Sequence, residues 1–309
     1  MPNKELYCGF LALSKKNNCR VLHRLKTTAL KTSTIKKMKN IYYALWLGML
    51  LLTSCSGTSQ PNDPIPEHET FTISSKQVGE NRVINVWMPA GYKMSSDSLP
   101  VMYMADGGIK EDFPHIANTL AKLIEEKKIK PLLLVGIENT ERRRDLTGFT
   151  EVEKDKEIAP VVGGSEKFRT FIHDELFPEI NKRYRTTDEK SIIGESASGL
   201  FVMETCFLTP DMFDHYIAFD PSLWWNNHYL VRTAKAHLAK FPSTPKRIWF
   251  AASKAKDISP YAKELADILK TANKANINWK FSDEPKEKHT TIFRATKEKA
   301  IIWTLNKTE

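Results

Sequence analysis

Cysteine is scarce and poorly placed for cross-linking. The chain has four cysteines, and Cys8, Cys19 and Cys55 all lie in its first fifth, leaving Cys206 alone in the body. The body can therefore form no internal disulfide, and Cys206, in an apolar stretch, reads as a small buried hydrophobe. Metal-site patterns are missing as well: there is no His-Glu-x-x-His and no Cys/His cluster, so neither metal nor cofactor is expected. Gly163-Gly164-Ser165 lacks the Gly-x4-Gly-Lys spacing of a nucleotide-phosphate loop. No apolar run reaches the roughly 20 residues of a membrane-spanning helix. Beyond residue 67 there is no Pro/Gly-rich linker and no internal repeat, which favours one domain over 69–309.

A charge surplus in the body is also lacking. The net charge is +9, and residues 1–54 alone carry ten Lys/Arg against one acid, Glu5. The rest is neutral, which argues against nucleic acid as a partner. The basic front end leads into an apolar run, Ile41 to Ser54, too short to span a bilayer and suited to a secretory signal. Its end, Leu52-Thr53-Ser54-Cys55, resembles the lipobox of bacterial lipoproteins. The resemblance implies that Cys55 is lipidated, that 1–54 is an upstream segment with a signal peptide, and that the mature protein is anchored at the cell envelope without spanning the membrane. Residues 55–68, polar and Pro-bearing, read as a flexible tether.

From residue 69 the pattern becomes regular. Glu69–Ser75 and Arg82–Met88 alternate like half-buried strands. Pro100–Ala105, Pro131–Ile137, Ser191–Ile193, His215–Phe219, Arg247–Ala252 and Ile277–Phe281 are short apolar runs suited to buried strands. Between them lie amphipathic helical stretches at Ile116–Glu126, Ser165–Tyr184, Ala197–Leu208, Tyr229–Lys240, Pro260–Ala272 and Thr291–Leu305. Alternation of this kind predicts an α/β fold: a mostly parallel sheet with helices on both faces and antiparallel strands at its N-terminal edge. Pro178 is expected to break or kink the Ser165–Tyr184 stretch. The 27 residues from Glu138 to Gly164 form a long aperiodic loop, of a length that suggests function.

Gly194-Glu195-Ser196-Ala197-Ser198-Gly199 lies where a strand runs directly into a helix. This is the setting of a nucleophile elbow, whose serine projects above the sheet edge between small neighbours. Here Ser198 stands where the second glycine is usual. Ser196 is the candidate nucleophile. His289, just before the last helix, sits in the slot of its general base. For the orienting acid, Asp257 follows the strand Arg247–Ala252, with Glu284 the next candidate; helix capping is the competing reading of Asp257. The oxyanion hole calls for two N–H groups, expected from Ala197 at the start of the elbow helix and from Gly108 in the turn after Pro100–Ala105.

These residues, together with Pro100–Gly107, Gly136–Thr140, Arg142–Asp145, Pro221-Ser222-Leu223-Trp224-Trp225 and Lys288-His289-Thr290, resemble the putative-esterase family of α/β-hydrolases, its siderophore-esterase branch most closely. The resemblance covers about 69–306 and implies an α/β-hydrolase fold and a serine esterase. Its substrate would be a siderophore-type, phenolic or carbohydrate-linked ester. Trp224 and Trp225 could stack on such a substrate. Arg142 and Arg144 could hold an anionic one, or could instead pair with nearby acids. A non-catalytic binding lipoprotein and an acyltransferase on the same triad remain open at this point.

Overall fold

The computed structural model describes residues 63–306. The expected upstream segment, signal, lipidated Cys55 and most of the tether lie outside the described residues. The last tether residues rest on the domain: Asp63 pairs with Arg294 at 2.6 Å, and the Pro64 carbonyl accepts from Asn118.

Eight strands make one sheet: β1 (Glu69–Ser74), β2 (Asn81–Trp87), β3 (Leu99–Met104), β4 (Leu133–Ile137), β5 (Thr186–Glu195), β6 (His215–Phe219), β7 (Lys246–Ala252) and β8 (Ile277–Asp283). Their order is β1-β2-β4-β3-β5-β6-β7-β8. The β1–β2 and β2–β4 pairs are antiparallel and all others parallel. This is the expected mostly parallel sheet with an antiparallel N-terminal edge.

The apolar runs are continuous because each central strand feeds two cores. In β3, Val101 and Tyr103 enter one core while Met102 and Met104 enter the other; in β6, Tyr216 and Ala218 oppose Ile217 and Phe219. With both faces covered, no polar alternation remains to be read. Two helices cover one face: α1 (Phe113–Glu125) supplies Ile116, Leu120 and Leu123, and the last helix (Ile292–Leu305) supplies Ile292, Phe293 and Ile301.

The loop 138–164 holds two short helices, α2 (Arg142–Leu146) and α3 (Glu153–Ile158). The stretch expected as one helix over 165–184 is three pieces: α4 (Ser165–Phe171), a π-helical turn (Ile172–Leu176) and α5 (Phe177–Arg183). Pro178 sits in the first turn of α5, where its missing N–H has no intrahelical role. The chain continues through α6 (Ala197–Leu208), α7 (Trp225–Ala239) and α8 (Ser259–Ala272) to the last helix, α9. Helix α6 is buried on nearly every side, as expected of a helix apolar all round. It carries Ser196 at its N-cap.

Candidate active site

Three neighbouring strands end in the same way. Two residues past β3 is Asp106 (φ 57°), the residue after β5 is Ser196 (φ 60°), and the one after β6 is Asp220 (φ 40°). A non-glycine residue in this region costs on the order of 1–3 kcal/mol and persists only where its surroundings over-determine it. For Ser196 the constraints are visible. Its N–H donates to the Phe219 carbonyl at 2.9 Å, and its carbonyl accepts from Leu200 at 2.8 Å and from Ser222 at 3.1 Å. Strand β6 and helix α6 thus grip the turn from both sides and push the hydroxyl out.

The neighbours must be small for this geometry. A Cβ on Gly194 would lie 2.3 Å from Ser198 Oγ and 2.7 Å from the Ser198 carbonyl carbon. Gly194→Ala is therefore expected to destabilise the protein by at least about 2 kcal/mol, lowering Tm by roughly 4–8 °C, with ester turnover lost; thermal unfolding and an activity assay check this. Ser198 fits in place of glycine, but its hydroxyl is buried without a partner among the described residues. Ser198→Ala is expected to be neutral or to stabilise by up to about 1 kcal/mol.

His289 Nε2 lies 3.1 Å from Ser196 Oγ, and His289 Nδ1 lies 3.0 Å from Asp220 Oδ2. Asp220 is wholly buried, and its other oxygen accepts the Ser253 N–H at 2.6 Å. This carboxylate raises the His289 pKa above that of an ordinary imidazole; partial burial opposes the shift, and Glu195 and Asp257 add to it through space. The expectation of Asp257 as the orienting acid is corrected here. Asp257 is exposed in the turn before α8 and makes no hydrogen bond to His289. Glu284 is not the acid either, since it pairs with Lys299 and Ser282. The chain order serine, acid, histidine survives, with the acid one strand earlier. A signal for it existed in Phe219-Asp220-Pro221, an acid directly at the end of a buried strand.

The Ala197 N–H opens α6, where the first amides have no intrahelical acceptor. The Gly108 N–H does not match its expected role. Glu111, three residues on, folds back and takes it at 2.7 Å, while Asn139 holds the other Glu111 oxygen at 2.9 Å. Gly107 is spent too, donating to the Ile137 carbonyl at 3.0 Å. A Cβ on Gly107 would lie 2.3 Å from Gly136 Cα, so the turn after β3 meets β4 through two glycines.

The expected substrate contacts are mostly engaged elsewhere. Arg142 grips Asp106 through Nε at 2.5 Å and Nη2 at 2.8 Å. Arg144 binds Asp145 at 2.7 Å and Glu80 at 2.5 Å, in a cluster with the buried Arg82. A substrate anion would meet ion pairs there, not free cations. Trp225 is buried with its indole N–H on the Gly148 carbonyl at 3.0 Å, which removes it as a stacking surface. It walls a cleft of about 560 Å³ that runs beside α6 past Phe149, Leu200, Glu204 and Tyr229. Trp224, 5.8 Å away, is half-buried against the core. Among the described residues, no group of three or more His, Cys, Asp or Glu side chains is arranged to hold a metal ion.

Known proteins resemble this chain in sequence and in fold. Residues 75–305 match the family model described as putative esterase. A ferri-bacillibactin esterase of Bacillus subtilis is 28% identical over 271 residues, covering 78% of this chain and 91% of the relative. A siderophore triacetylfusarinine C esterase of Aspergillus fumigatus is 28% identical over 192 residues, covering 56% and 62%. Among solved structures, an IroE-like serine hydrolase from Shewanella oneidensis superposes with a TM-score of 0.69 at 26% identity, covering 77% of this chain and 79% of that one. With its elbow serine, its histidine and the fold that carries them, the chain belongs to the putative-esterase family of α/β-hydrolases and is a carboxylic-ester hydrolase.

Proposed function

We propose that this chain is a serine esterase that cleaves siderophore-type esters through an acyl-enzyme. The observation that carries the reading is the relay from Ser196 Oγ through His289 to Asp220, with links of 3.1 and 3.0 Å. Ser196 Oγ attacks the ester carbonyl carbon while its proton passes to His289 Nε2. Asp220 stabilises the resulting imidazolium and holds its Nδ1–H. The tetrahedral oxyanion accepts the Ala197 N–H at the positive end of α6. Collapse expels the alkoxide, which takes the proton from His289. Water then attacks the acyl-enzyme, with His289 again as base, and releases the carboxylic acid and free Ser196.

Support for the substrate class comes from the relatives, two of which are named for siderophore esters. The signal-like leader ending at Cys55 supports a lipid-anchored location at the cell envelope. The test uses a fluorophosphonate probe with peptide mapping, then initial rates on a siderophore triester, a feruloylated sugar and acetylated xylan. The expected result is one adduct, on Ser196, and a kcat/KM for the triester at least about tenfold above the other two. Absence of an adduct would sink the serine mechanism; equal rates on all three would sink the substrate class.

A further inference from the structure

The carboxylates around Ser196 are numerous, and nearly all are tied down. Asp106 is held by Arg142 and Asn139, and Glu111 by Gly108 and Asn139. Asp112 is held by His115, and Asp220 by Ser253 and His289. Glu195, immediately before the nucleophile, differs: among the described residues its side chain makes no hydrogen bond, and it is only partly buried. It ends β5 on the face of Ile193, the face covered by α1 and α9.

The groups facing it come from each neighbouring element. His289 lies on the loop before α9, Asp112 at the start of α1, Asp220 after β6 and Asp106 after β3. Behind Asp112, His115 Nδ1 meets Lys297 of α9 at 3.1 Å. The cations nearby are compensated, Arg142 by Asp106 and His289 by Asp220. Glu195 thus stands next to the reacting serine in the chain, partly exposed and with no hydrogen-bonded partner for its carboxyl among the described residues.

We propose that Glu195 sets the charge selectivity of the ester site, admitting neutral and cationic esters and turning anionic ones away. The inference rests on the esterase reading and names the substrate class within it. Like charge brought to a poorly solvated carboxylate is repelled far more strongly than in water, and such repulsion is an effective way to reject the wrong partner. Burial and the surrounding carboxylates push the Glu195 pKa up to about 8, with His289 pulling the other way. The carboxyl therefore ionises over a higher pH range than an ordinary glutamate, so discrimination against anionic esters grows as pH rises through that range.

The test compares kcat/KM for the 4-methylumbelliferyl esters of 4-(trimethylammonio)cinnamate, cinnamate and 4-carboxycinnamate at pH 6.5 and 9, in wild type and Glu195→Gln. A ratio of cationic to anionic ester cancels any loss common to both. In wild type that ratio is expected to rise about tenfold between the two pH values, the equivalent of one pKa unit of interaction, while in Glu195→Gln it stays flat. A flat wild-type ratio overturns the proposal even if the variant fails to fold. So does an equal rise in the variant, or a preference for the anionic ester. A wild type that turns over none of the three and takes no fluorophosphonate overturns the esterase reading itself, a result distinct from turnover without charge selection.

Discussion

Asparagine in place of Asp220 is expected to lower kcat about 10⁴-fold, the scale seen when a triad loses the acid that fixes its histidine tautomer. The geometry gives the reason. Asp220 Oδ2 accepts from His289 Nδ1 at 3.0 Å, which leaves Nε2 unprotonated and aimed at Ser196. An amide NH₂ at that position donates, so the imidazole turns its proton toward the serine and can no longer take one. Loss of the carboxylate also removes the main cause of the raised His289 pKa. His289 must be neutral to act as base, so activity in wild type falls as pH falls through that pKa, above the usual imidazole value. In the residual activity of the variant this acid limb should lie at lower pH. Asp257→Asn should leave kcat within about a factor of two, because an exposed charge acting through solvent contributes little. Stopped-flow rates and a pH profile of kcat/KM for the two variants decide between the carboxylates. Equal losses, or a larger loss at Asp257, would remove Asp220 from the proposed relay.

Ser196→Ala is expected to cost about 10⁶-fold in kcat, and His289→Ala nearly as much. The double variant should lose little more, because the two side chains act as one unit and either deletion disables it. KM should move far less than kcat, since neither side chain is the main surface that holds the ester. The remaining rate above water then comes from binding and the Ala197 N–H. The check is a full kinetic cycle with both single variants and the double one. Additive losses would mean that the 3.1 Å contact between Oγ and Nε2 does not carry the reaction.

Much of this architecture was legible in the residues. Runs such as Val101–Ala105 and His215–Phe219 read as strands because burial on both faces removes every polar interruption. Ser196 was legible because Gly194 precedes it at a strand end, and His289 because it lies just before the last helix. Asp220 was not, because the acid is expected after the strand Arg247–Ala252, where Asp257 lies, and an Asp before a Pro-Ser turn looks like ordinary turn chemistry. The state of Gly108 was hidden by a contact only three residues long, Glu111 folding back onto its own turn. The arginine loop and the tryptophan pair show a different limit: composition reveals a cation or a ring, but only packing reveals that Asp106, Asp145 and Gly148 already occupy it.

The acid of this triad is secured by a main-chain amide, that of Ser253, rather than by another side chain. The donor itself is independent of the side chain at 253, proline excepted, although burial of Ser253 restricts the position to small residues. What anchors the deepest member of the relay from the β7 side is thus backbone placement just past the strand end, which the fold supplies as a whole, and not a side-chain functional group.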